Sequence, residues 1–222
     1  MKIRKLNKNY YQFIDYLVMF LPIIIILGSP FINFFSAVCS FIFLYLSFKF
    51  KFWDWLKITW VRIIIVFWLY MIFLSFFSLD FENSFRASFF FIRFLLFALC
   101  IKYLAFNYFS YLKIFRIWFF IILFVCLDIW IQYFFGKDLF GYSNDSARFA
   151  GLFGNELVAG AFLWKISAPV IGILLYQTVF EKKKIIYSVM SLFLVLMTIL
   201  ITGERASFLM FSFGLLISAI LI

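Results

Sequence analysis

Two short stretches concentrate side chains that could do chemistry. RFAGLFGNE, residues 148–156, groups Arg148, Gly151, Gly154, Asn155 and Glu156, and ITGERASFLMF, residues 201–211, groups Gly203, Glu204 and Arg205 at a turn. Arginine carries a planar, permanently charged fork that grips phosphate oxygens through parallel hydrogen bonds. Glycines at 151 and 154 let the backbone turn tightly. Gly154 or Asn155 stands where it could cap a following helix, with Glu156 in the first turn, and a helix opening there offers free backbone N–H groups to an anion. The turn at Gly203 needs a glycine but has no need of Arg205. The shared chemistry is recognition of a phosphate or diphosphate. The competing reading is that Arg148 and Arg205 snorkel to head groups or pair with Asp145 and Glu204.

The elements that must position these residues are written in the composition. Of 222 residues, 67% are hydrophobic and 14% charged, far above the apolar fraction of a soluble domain, roughly half. Apolar runs recur at 14–27, 31–48, 60–79, 88–105, 114–135, 157–180, 185–201 and 206–222, each near the length of about 20 residues that a spanning helix needs. The fold expected is an all-α integral membrane protein, one polytopic domain over 1–222 built as a bundle of about eight transmembrane helices. The first run follows MKIRKLNK but no small-residue cleavage site follows it, so it reads as an uncleaved helix. Cys39, Cys100 and Cys126 all lie in apolar runs, which leaves neither a disulfide framework nor a CxxC metal motif. There is no histidine, so the commonest general base and metal ligand is missing from this chain.

Charge sets an expected orientation. With the N-terminus cytoplasmic, fourteen of the twenty basic residues fall in cytoplasmic loops. The net charge of +10 then faces anionic head groups, and its scatter through short loops argues against nucleic acid as a partner. The six basic residues left over are Arg86, Arg93, Lys137, Arg148, Lys165 and Arg205, all at or toward the outer face. Arg86 and Arg93 are seven residues apart, close to two helical turns, and share a wall if the fourth helix is already wound at Arg86. Arg93 lies roughly 9 Å in from the outer end of its helix, Asp128 and Lys165 roughly 10 to 12 Å. A buried ion pair of Asp128 with Lys165 or Arg93 is therefore expected, because a lone charge at that depth is costly.

The two motifs, in this order and each at an outward helix start, resemble those of the bacterial O-antigen ligase and O-antigen polymerase superfamily. RFAGLFGNELVAGAFL is similar to its R-x-x-G-x-F-x-N-x-N-type segment, and ITGERASFLMF to its small-turn-then-arginine hairpin. The resemblance covers about thirty residues and fits the first part of such proteins. It implies a membrane glycosyltransferase of the bacterial inner membrane with a periplasmic active face. A glycan would pass from undecaprenyl diphosphate to a lipid A core or lipid-linked acceptor, in surface polysaccharide biosynthesis. It implies no cofactor and no metal, and it assigns Arg148 and Arg205 to the substrate diphosphate. Arg86 and Arg93 join them on helix spacing alone, and Gly151, Gly154, Asn155, Glu156 and Gly203 support the motifs.

Three departures stand out. Glu156 replaces the usual proline, Val158 falls near the usual second asparagine, and Glu204 replaces a common serine. The family's histidine-bearing outer loop has no counterpart here, and LLISAILI ends the chain without a polar anchor, so the sequence reads as the N-terminal portion of a longer protein. A transporter or flippase of anionic lipid-linked glycans, or a non-catalytic binder of them, remains open. The catalytic base is unassigned.

Overall fold

A computed structural model describes residues 8–106, 109, 111–143, 148–154, 156–180 and 185–221. The described residues form helices joined by turns, with no strand beyond one isolated bridge between Lys137 and Ser143. Four helical stretches are long and apolar enough to cross a membrane: Asn9–Ile26, Ser29–Lys49, Phe81–Leu104 and Tyr111–Phe135. Phe34 is 72% exposed and Phe41 73%, an arrangement that water would penalise and lipid favours. The described residues are all-helical, and their composition and exposed apolar surface have the character of membrane-spanning segments. The chain divides into two units, Met1–Val18 with Ser29–Phe109, and Met19–Gly28 with Ser110–Ile222.

Helix α1 is Lys8–Ile26, whose N-terminal part belongs to the first unit. That unit also holds α2, Ser29–Lys49, α3, Thr59–Ser75, α4, Phe81–Phe90, and α5, Ile92–Leu104. Pro30 stands in the first turn of α2, where the missing N–H has no partner to lose. α2 packs along α5 through buried Cys39, Phe43, Leu46, Leu99 and Cys100. The cysteines are free thiols acting as small apolar side chains.

The sequence placed the fourth helix at 88–105, and the structure starts it at Phe81. Asp80 explains the difference: its Oδ1 accepts the Asn83 N–H at 3.2 Å and its Oδ2 the Asn83 side-chain amide at 2.6 Å, an N-cap that winds the chain about two turns early. These two hydrogen bonds hold the Asp80 carboxyl below the usual carboxylate range. Arg86 is accordingly helical. α4 and α5 run on as one rod, tightened at Phe91, whose N–H bonds the Ser88 carbonyl and whose carbonyl takes the Phe94 N–H. Neither glycine nor proline causes this. The Ser40 hydroxyl of α2 stands 2.8 Å from the Arg93 carbonyl and 2.7 Å from the Ser36 carbonyl of its own helix, sharing one proton between them, so a side chain approaches the helical ladder beside the tightened turn.

The second unit contains α6, Tyr111–Phe135, α7, Ala159–Phe180, α8, Ile185–Ile201, and α9, Arg205–Leu221. α7 packs against α6, α8 and α9. Its interior includes Ile122, Cys126, Ile129, Leu163 and Ile199. Trp130 Nε1 donates to Thr198 Oγ1 at 3.0 Å and ties α6 to α8. Pro169 lies inside α7, as membrane helices tolerate when neighbours satisfy the freed carbonyl.

Candidate functional site

The site is assembled in the second unit from one loop and one hairpin. The loop leaves α6 at Gly136, where φ is 75°, and folds back on itself around Asp138. Asp138 is buried, and its Oδ1 accepts the N–H groups of Phe140 at 3.0 Å and Tyr142 at 2.7 Å. Two side chains of α6, one turn apart, then fasten both limbs of the loop. Asp128 Oδ1 accepts the Leu139 N–H at 3.0 Å on the outgoing limb, and Gln132 Oε1 accepts the Gly151 N–H at 2.9 Å on the returning one. Arg148 is exposed three residues before that second anchor.

Beyond Gln132's anchor the chain makes a single 3-10 turn, Gly151–Phe153, closed by Gly154 at φ 58°. α7 begins only at Ala159, which corrects two expectations. Glu156 lies before the helix, exposed, with its N–H on the Phe153 carbonyl and its carbonyl on the Val158 N–H, and so takes no part in the first turn. Gly154 closes the 3-10 turn instead of capping α7; Asn155 lies outside the described residues.

The cap of α7 comes from the hairpin. α8 and α9 are joined by Thr202, Gly203 and Glu204, with φ 74° at Gly203, the left-handed value a tight turn asks of glycine. Glu204 Oε1 accepts the Gly160 N–H in the first turn of α7 at 2.9 Å, and its Oε2 accepts the Ser207 hydroxyl at 2.7 Å. The hairpin comes so close that a Cβ on Gly160 would stand 2.7 Å from Thr202 Oγ1 and 3.0 Å from Glu204 Cβ. One carboxylate thus serves two helix starts, in keeping with the positive end of the helix dipole.

Around this junction lies an open cavity of about 1060 Å³, lined by Arg148 and Arg205 together with Leu157, Leu200, Phe208 and Leu209. Arg205 is exposed and occupies the first position of α9, whose first-turn amides point out of the helix end beside its side chain. Both motif arginines therefore face one hollow. Its far wall is apolar, and the one carboxylate on its rim among the described residues, Glu204, has both oxygens engaged by hydrogen-bond donors. The chemistry on offer is a grip on an anion with an apolar flank for its attached chain.

The expected ion pair of Asp128 with Lys165 does not form. Among the described residues one ion pair lies within 4 Å, between Lys57 and Asp54. Lys165 is exposed, with its ammonium 6.0 Å from the Trp164 ring centroid, whereas Asp128 is fully buried and bonded to backbone. The depth estimate matched these residues in height but not in helical phase. Arg93 belongs to the first unit, where its guanidinium donates to Asn33; with Arg86 it lines a hollow of that unit. Sequence reading missed Gln132, Asp138 and Gly160. The small run Ala159-Gly160-Ala161 at a helix start was the one available signal of a close approach.

Glu204→Gln is expected to unfold like the unchanged protein, because the amide oxygen still accepts from Gly160 and Ser207 can reverse its hydroxyl. Glu204→Ala is expected to lose about 1–2 kcal/mol, the usual worth of a lost cap. Unfolding in mixed micelles separates the two.

Comparison with protein-family models, with curated proteins and with solved structures finds no match to this chain.

Proposed function

We propose that this protein binds the diphosphate of a polyprenyl-linked glycan between Arg148 and Arg205, and that it serves as a lipid-linked glycan transferase of the O-antigen ligase or polymerase kind. The observation that carries this reading is the shared cavity: two arginines from motifs more than fifty residues apart line one hollow. The reading places the N-terminus in the cytoplasm, about eight helices across the bacterial inner membrane, and the arginine-lined cavity on the periplasmic face. Its acceptor is a lipid A core sugar or a second lipid-linked glycan.

The chemistry follows from the leaving group. An acceptor hydroxyl oxygen forms a bond to the anomeric carbon while the bond from that carbon to the diphosphate oxygen breaks, and the electron pair leaves on the diphosphate. Negative charge grows there, and guanidinium groups already in place stabilise it most in the transition state. The hydroxyl proton needs an acceptor. The sequence has no histidine, and the Glu204 oxygens already accept from the Gly160 N–H and the Ser207 hydroxyl. That observation favours a second reading, a non-catalytic binder of the same lipid-linked material.

The test is retention and transfer by the purified protein in lipid nanodiscs supplied with an undecaprenyl-diphosphate glycan and its acceptor. The unchanged protein is expected to retain the lipid, Arg148→Ala and Arg205→Ala to lose at least about tenfold in affinity each, and Glu204→Gln to bind as before. Retention with transfer supports the enzyme, retention alone the binder. Equal retention by the arginine variants removes both.

A further inference from the structure

In the first unit, α4 and α5 carry Arg86 and Arg93 onto an open hollow of about 500 Å³, whose remaining wall includes Asn83, Ala87, Phe90 and Phe94. Among the described residues no carboxylate lines it. The two nearest acidic side chains in the sequence sit at the start of α4 and are otherwise disposed. Asp80 is engaged by Asn83 through both oxygens, and Glu82, one turn before Arg86, makes no ion pair with it. The Arg93 guanidinium is held in place from two sides: Nη2 donates to Asn33 Oδ1 at 2.8 Å, and the guanidinium carbon lies 4.8 Å from the Phe94 ring centroid. Its Nε is nonetheless buried with no hydrogen-bond acceptor.

Two cations thus share one hollow without an anion among the described residues, and one of them, Arg93, keeps a buried N–H without an acceptor. They stand in a helical stretch, Phe81–Leu104, long and apolar enough to cross a membrane. Charge in such a segment is retained when something pairs it. The flanks say what: Phe89 is 48% exposed, Phe90 51% and Phe94 43%, so the hollow opens among rings that suit hydrocarbon.

We propose that the Arg86–Arg93 hollow of the first unit binds the phosphate diester of an anionic glycerophospholipid, with the lipid's acyl chains lying along Phe90 and Phe94. Acceptor-only phosphate oxygens match the two guanidinium groups, Arg86 and Arg93, which have no counter-charge in the hollow. This inference depends on the membrane setting and is independent of the glycan-transfer reading.

Native mass spectrometry of the purified, delipidated protein tests it, after add-back of phosphatidylglycerol, of phosphatidylcholine, or of inorganic phosphate. The expected result is one tightly retained phosphatidylglycerol, weakened at least about tenfold by Arg86→Ala and by the double substitution with Arg93→Ala, partly restored by Arg86→Lys, and undisturbed by inorganic phosphate. Because Arg93 also bonds Asn33, its loss could unsettle the fold; no such tie holds Arg86, and Arg86→Ala alone is then decisive. Retention of phosphatidylglycerol unchanged in Arg86→Ala, retention of phosphatidylcholine equally well, or displacement by inorganic phosphate each overturns the proposal.

Discussion

Gly151→Ala is expected to destabilise the second unit by about 2–5 kcal/mol and to remove diphosphate-lipid binding with it, roughly 1–2 kcal/mol arising from a left-handed residue with a side chain and 1–3 from overpacking. At φ 54°, a Cβ on Gly151 would stand 2.7 Å from Asp128 Oδ2 and 2.8 Å from Ile129 Cγ1. Neither can retreat easily, since Asp128 is bonded to Leu139 and Ile129 is fully buried. The returning limb would have to lift off Gln132, and Arg148 would move with it. Another loop glycine isolates the clash from the backbone strain: Gly136 also has positive φ but nothing within 4 Å of its would-be Cβ. Gly136→Ala is therefore expected to lose only the left-handed penalty, about 1–2 kcal/mol, in mixed-micelle unfolding. A loss at Gly151 no larger than that of Gly136→Ala would show that the loop is not fastened as described.

Asp15→Ala is expected to cost a comparable amount, roughly 2–6 kcal/mol, because it strips the acceptor from two backbone donors at about 1–3 kcal/mol each. Asp15 is fully buried on α1, and its oxygens accept the N–H groups of Phe106 at 2.5 Å and Phe109 at 2.7 Å. Phe106 itself is strained, at φ 60°. Asp15→Asn keeps one carbonyl oxygen and presents an NH₂ to the other donor, so it too is expected to fall well short of the unchanged protein. Near-normal unfolding of Asp15→Ala would mean that these hydrogen bonds carry little.

These two positions mark the boundary of what the sequence could say. Apolar runs announced the helices, since burial in lipid acts on each segment separately and leaves its mark locally. The turn at Gly203 and the arginines beside it were legible for the same reason: a tight reversal needs glycine within a residue or two. Asp15 gave no such sign, because its partners lie more than ninety residues away. Gly160 and Glu204 are likewise meaningful only once α7 meets the hairpin. The Asp80 cap was local, and reading the apolar run alone passed over it. Asp128 was singled out for its burial, and its burial is real, but the partner inferred from matching depth was wrong: backbone amides of the folded-back loop took the place assigned to Lys165.

The central claim is that Arg148 and Arg205 hold one anion between them. A double-mutant cycle on the affinity for an undecaprenyl-diphosphate glycan, comparing Arg148→Ala, Arg205→Ala and the double variant in nanodiscs, tests it most directly. Two groups gripping one diphosphate are expected to be coupled, with the double variant departing from the sum of the singles by about 0.5–3 kcal/mol. Losses that add to within about 0.5 kcal/mol, or no loss in either single variant, would contradict a shared site.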